Sequence, residues 1–125
     1  MNIPAELKYT KDHEWAKVDG DVVTVGITDY AQGELGDVVY VDLPPVGTEV
    51  SQNESFGSIE AVKAVADMYS PVSGEIIAVN EGISDAPETI NQDPYGKGWM
   101  VKIRISNADE LNNLMDAGAY QELLS

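Results

Sequence analysis

Apolar residues alternate with small or polar ones along much of this chain, as in Val23, Val25 and Ile27, and again in Val39, Val41 and Leu43. A period of two places one set of side chains on a single face of a strand, so the pattern predicts a mostly antiparallel β domain. The clearest strand runs from Met100 to Ile105, with Val101, Ile103 and Ile105 toward a core and Lys102 and Arg104 toward water. Turn residues punctuate the pattern at Asp19-Gly20, Pro44-Pro45-Val46-Gly47, Ser70-Pro71 and Ser73-Gly74.

The period changes near the C-terminus. Leu111, Leu114 and Met115 follow Asn107 and Glu110, which stand in capping-box spacing, and Tyr120, Leu123 and Leu124 repeat the helical interval after Gly118. Two short helices packed on the sheet are expected there. A third is expected over Asp29 to Leu35, capped by Thr28 or Asp29 and stopped by Gly36. Residues 80 to 98, rich in Asn, Asp, Pro and Gly, read as an irregular excursion with one helical turn near Pro87 to Ile90. Val46-Gly-Thr-Glu-Val50 and Val72-Ser-Gly-Glu-Ile76 form a faint internal echo. No linker interrupts the chain, and residues 1–125 are expected to form one domain.

Periodicity leaves residues 57 to 69 open. Ile59, Val62 and Ala66 could line a helix, whereas Ile59, Ala61 and Val65 could belong to two strands reversing near Lys63. No Gly, Asn or Asp marks that reversal.

Charge changes the picture. The chain carries 22 acidic and 7 basic residues, a formal charge of −15. Such a field repels nucleic-acid backbones and anionic membranes, and favours basic protein surfaces. Cysteine is absent and His13 is the single histidine, so no disulfide, thiolate chemistry or metal site is expected. Residues 1 to 6 show neither a basic nor an apolar leader pattern, which predicts a cytoplasmic chain. A monomer is expected because no long heptad pattern appears.

Lys63 is the sole cation between Lys17 and Lys97. On charge alone it reads as a solvated side chain. His13 has no partner ligand in sequence, and Gly96-Lys97-Gly98 lacks the Ser or Thr of a phosphate loop, so both read as structural.

A collinear set of residues alters the reading of Lys63. It comprises Lys8-Tyr9, His13-Glu14-Trp15, Val25-Gly-Ile-Thr28, Leu35-Gly36, Val41-Asp-Leu-Pro44, Glu60 to Ala64, Ser70-Pro-Val-Ser-Gly-Glu75, Asn91, Pro94-Tyr95, Gly98-Trp99 and Ala119-Tyr120. Along nearly its whole length the chain resembles the glycine cleavage system H proteins, in which a lysine carries lipoic acid in amide linkage. The family's finer pattern also matches: Gly47 sixteen residues before Lys63, Glu60 three before, and Gly74 eleven after. Ala61 departs from the family's usual Ser, and Val65-Ala66 from a more polar pair. Val62 and Ala64 replace the methionines of biotin carriers and the Asp of 2-oxo acid dehydrogenase lipoyl domains.

The resemblance implies a biotinyl/lipoyl-type hybrid barrel-sandwich and a non-catalytic carrier with lipoate on Lys63. It also implies four partners: a pyridoxal-phosphate glycine decarboxylase, a folate-dependent aminomethyltransferase, dihydrolipoyl dehydrogenase and a lipoate-attaching enzyme. Lysine amines are protonated at neutral pH, so attachment requires such an enzyme and an activated donor. The acylated arm would reach on the order of 13 Å, at about 1.2 Å per bond.

Glu60, Gly47 and Gly74 are candidates for recognition by that enzyme, although Glu60 also reads as a solubilising charge and the glycines as turn residues. Glu14, an acid beside Trp15, is a candidate partner for the amine of the loaded arm, or an ordinary surface Glu. Two other functions share the features described: an H-like relay donating lipoate to other enzymes, and an unmodified β module using its acidic face.

Overall fold

The structure, a computed structural model, describes residues 2–125. It contains nine strands in two antiparallel sheets. The strands are β1 (Lys8–Tyr9), β2 (Glu14–Asp19), β3 (Val22–Ile27), β4 (Val38–Asp42), β5 (Glu49–Val50), β6 (Ser55–Ala61), β7 (Val65–Tyr69), β8 (Gly74–Val79) and β9 (Val101–Ile105). The larger sheet has the order β1-β2-β3-β9-β8-β5 and the smaller β4-β6-β7. The helices are α1 (Asp29–Leu35), α2 (Glu81–Asp85), α3 (Thr89–Gln92) and α4 (Ala117–Leu124), with a 3-10 helix over Ala108–Asn113.

The alternation builds the core. Val23, Val25 and Ile27 of β3 join Ile76, Val101 and Ile103 from the larger sheet, and pack with Val41, Phe56, Ile59 and Met68 of the smaller one. Full burial of each such side chain contributes about 2 kcal/mol. A second cluster of Leu7, Tyr9, Trp15 and Tyr120 lies beneath α4. Trp15 covers Gly26 so closely that a Cβ there would stand 2.7 Å from its ring.

Several details differ from the sequence expectation. Val39 does not alternate inward with Val41: the register shifts between Val38 and Tyr40, burying Val38 and leaving Val39 61% exposed. Residues 108–113 form a 3-10 helix, and the capping box is not made. Glu110 instead accepts from the Ser73 N–H (2.6 Å) and hydroxyl (2.7 Å). The excursion at 80–98 holds two short helices, anchored by fully buried Ile83 and Ile90. The two echoing segments pair with each other, Glu49 opposite Glu75 and Val50 opposite Gly74.

Candidate functional site

Residues 57 to 69 form strands, with Lys63 at the tip of the β6–β7 hairpin. Ile59 faces Ala66 and Glu60 faces Val65 in the ladder. The tip lacks positive-φ residues, so it does not use the usual two-residue turn chemistry. It is held from outside: the Val62 N–H donates to the Asp37 carbonyl (3.0 Å) and the Lys63 N–H to that of Leu35 (3.2 Å). Within the hairpin, the Ala61 N–H donates to the Ala64 carbonyl at 2.9 Å. Val62, Lys63, Ala64 and Val65 are all exposed. The result is a solvated lysine on a fixed backbone.

The ledge that receives the tip begins where α1 ends. Thr28 caps this helix by accepting from the Ala31 N–H, and Gly36 terminates it at φ 79°, ψ −162°, a conformation open in practice only to glycine. The stem of Lys63 lies across Gly36.

Beside the ledge opens a cleft of about 300 Å³, lined by α1 and β7 residues together with Asp12 and His13. Its apolar wall includes Ile27, Leu35 and Met68, and its carboxylates are Asp12, Glu34 and Asp67. Leu35 therefore belongs both to the cleft and to the anchor of Lys63. Sequence reasoning missed Asp12, Glu34 and Asp67, because three scattered acids in an acidic chain carry no spacing signal.

His13 is placed in that wall by an unusual backbone, φ 69°, and by Tyr120, whose hydroxyl lies 2.8 Å from its Nδ1 and 2.7 Å from the Thr28 hydroxyl oxygen. Burial lowers the imidazole pKa, against the opposing pull of Asp12 and Glu34.

Glu14 is not a surface residue. It is 1% exposed, and its carboxylate accepts from the Thr10 hydroxyl (2.5 Å) and the Tyr69 N–H (3.2 Å). Burial pushes its pKa up to about 7, outweighing those hydrogen bonds. It does not line the cleft, although the preceding residue, His13, does.

Glu60 is exposed on the outer face of the smaller sheet, between Tyr40 and Val65. Gly47 and Gly74 lie on the other sheet, at its β5–β8 edge. Gly47, at φ 96°, donates its N–H to the Ile76 carbonyl, whereas Gly74 lies against the Arg104 backbone where a Cβ has no room. The structure thus unites Lys63 with Glu60, and Gly47 with Gly74, but on different sheets. A larger open depression of about 680 Å³ also lies on that second sheet, lined in part by Gly74, Glu75 and Arg104. Among the described residues no His, Cys, Asp and Glu cluster suited to a metal occurs.

A family model described as "Glycine cleavage H-protein" matches residues 7–125. The glycine cleavage system H protein of Staphylococcus carnosus is 51% identical over 124 residues, covering 99% of this chain and 98% of its own. That of Chlorobium luteolum is 56% identical over 126 residues, with 99% and 98% covered. A crystal structure of a glycine cleavage system H protein from Mycobacterium marinum superposes with a TM-score of 0.88 at 43% identity, covering 96% of this chain and 97% of that one.

Proposed function

The chain belongs to the glycine cleavage H-protein family, and from that membership we infer that Lys63 is the residue acylated by lipoic acid. The protein is the lipoyl carrier of the glycine cleavage system: a carrier subunit, not a catalyst, acting with the other components of that system. The observation that supports Lys63 is its exposure on a hairpin tip whose two backbone N–H groups are both held.

Those residues fit the group. Acylation removes the lysine charge and leaves a flexible tether, and a rigid root lets a reach on the order of 13 Å be used for delivery. The bound dithiolane would supply a disulfide able to accept the aminomethyl carbon of glycine and to be reoxidised afterwards. This chain's own residues shelter the cargo. A primary amine is cationic near pH 7 and is better shielded against carboxylates than in bulk water. Asp12, Glu34 and Asp67 offer such groups beside the tether root, and Ile27, Leu35 and Met68 offer an apolar bed. Glu14 completes the docking site by exchanging its Thr10 bond for the amine.

Its partners are the glycine decarboxylase, the aminomethyltransferase, dihydrolipoyl dehydrogenase and the lipoate-attaching enzyme. Glu60, on the same hairpin as Lys63, is read by the attaching enzyme, and Gly47 and Gly74 shape a second part of the surface it meets. The carrier acts as a cytoplasmic monomer and as one unit over residues 1–125.

Reconstitution of the lipoylated chain with a glycine decarboxylase and glycine tests the role. An aminomethylated arm, seen by intact mass, is expected. Its absence, with lipoate passed to other acceptors instead, would favour a relay.

A further inference from the structure

The smaller sheet ends at β4, yet the approach to that strand is not left bare. Asn91 of α3 presents its side-chain amide to the edge: Nδ2 donates to the Gly36 carbonyl (2.9 Å) and to Gln32 Oε1 (3.1 Å), while Oδ1 accepts from the Val38 N–H (2.8 Å). Gly36 carbonyl and Val38 N–H flank Asp37 on one side of an extended segment, where a neighbouring strand's peptide groups would otherwise bond. The opposite side of the same segment presents the Leu35 and Asp37 carbonyls, the acceptors for Lys63 and Val62.

We propose that Asn91 is the positioning residue for the lipoyl-lysine, a side-chain substitute for a missing strand that fixes the 35–38 ledge and, through it, the hairpin tip bearing Lys63. This rests on Lys63 being the acylated residue.

Three observations carry it. Val38 is 3% exposed, so its N–H needs a partner within the protein, and that partner is Asn91. The tip has no positive-φ residue, and beyond the single Ala61–Ala64 bond its backbone N–H groups at 62 and 63 are held by the ledge. Asn91 is itself fixed, because the adjacent Ile90 is fully buried in the main core.

The full-length chain tests this in two measurements. Amide hydrogen exchange on the unmodified Asn91→Leu protein is expected to show Val62 and Lys63 exchanging about tenfold or more faster, with the Val23 and Val25 amides unchanged. In lipoylation by a bacterial lipoate ligase with ATP and lipoate, KM for the carrier should rise several-fold while kcat changes less than twofold. Unchanged exchange at Val62 and Lys63 would overturn the proposal. If Asn91→Leu loosens the whole sheet, Asn91→Asp decides. It keeps the acceptor for Val38 but loses both donations, so selective exposure of residues 62 and 63 supports the proposal and uniform behaviour refutes it. The exchange measurement needs no lipoate, so its failure is distinct from a failure of Lys63 to be acylated.

Discussion

The aliphatic stem of Lys63 crosses Gly36 so closely that a Cβ at position 36 would stand 3.3 Å from the lysine Cγ and 3.4 Å from Cδ and Cε. The backbone of Gly36 also lies at φ 79°, ψ −162°, where an L side chain is strained by about 1–3 kcal/mol. Gly36→Ala should therefore lower stability by about that amount in urea unfolding. It should also slow lipoylation of Lys63, because the root of the arm is pushed from its resting place. Wild-type stability and acylation rate in this variant would contradict the described packing.

Tyr120 couples the C-terminal helix to the cleft. Its hydroxyl meets both His13 and Thr28 in a buried setting, while its ring stacks on Tyr9 at 4.7 Å. Tyr120→Phe keeps the stack and removes the hydroxyl, which should cost about 1–3 kcal/mol by leaving buried polar atoms unpaired. The loaded arm should also hydrolyse faster as His13 loosens. Unfolding midpoints and decay of the aminomethylated species measure the two effects.

Glu14 gives the protein a pH signature. Its pKa rises from an ordinary 4.5 to about 7 on folding, so between those values the native state holds a proton that the unfolded chain has lost. Its stabilising contribution is complete below about pH 4.5 and disappears as pH rises through 7. Glu14→Gln lacks this titration. The stability of wild type relative to Glu14→Gln should fall by about 2–3 kcal/mol between pH 4.5 and pH 8, read from urea midpoints. A constant difference would mean that the carboxylate is not desolvated. On the functional side, an unchanged lifetime of the aminomethylated arm in Glu14→Gln would remove Glu14 from the docking site.

Glu60 is solvent-exposed beside the tether, so its replacement tests recognition with little risk to the fold. Glu60→Lys should leave stability within about 0.5 kcal/mol of wild type, as surface substitutions usually do. Lipoylation should nevertheless slow by tenfold or more. Equal rates would reduce Glu60 to a solubilising charge.

The β architecture was legible where one face of a strand is buried, as at Val23, Val25 and Ile27. It failed at Val39, because a bulge inserts a residue that no two-residue period can register. The cap of α1 was legible to within one residue, since Thr28 and Asp29 both suit it. Glu110 misled for a physical reason: its carboxylate finds Ser73 more than 30 residues away in sequence, a contact that local spacing does not encode. The lysine was legible through its motif, and its hairpin was not, because the bonds that hold the tip come from residues 35 and 37. Glu14 stood as a candidate for the arm or a plain surface acid, and its burial was not legible because nothing local announces that the Tyr69 N–H of β7 will bond it.

Lipoylation at residue 63 is read by intact mass after incubation of the chain with lipoate, ATP and a lipoate ligase. The wild-type chain should gain one lipoyl group, and Lys63→Arg, which keeps the charge and stem, should gain none. A lipoyl group on Lys63→Arg, or an unmodified wild-type chain under conditions that acylate another H protein, would mean that Lys63 is not the attachment point.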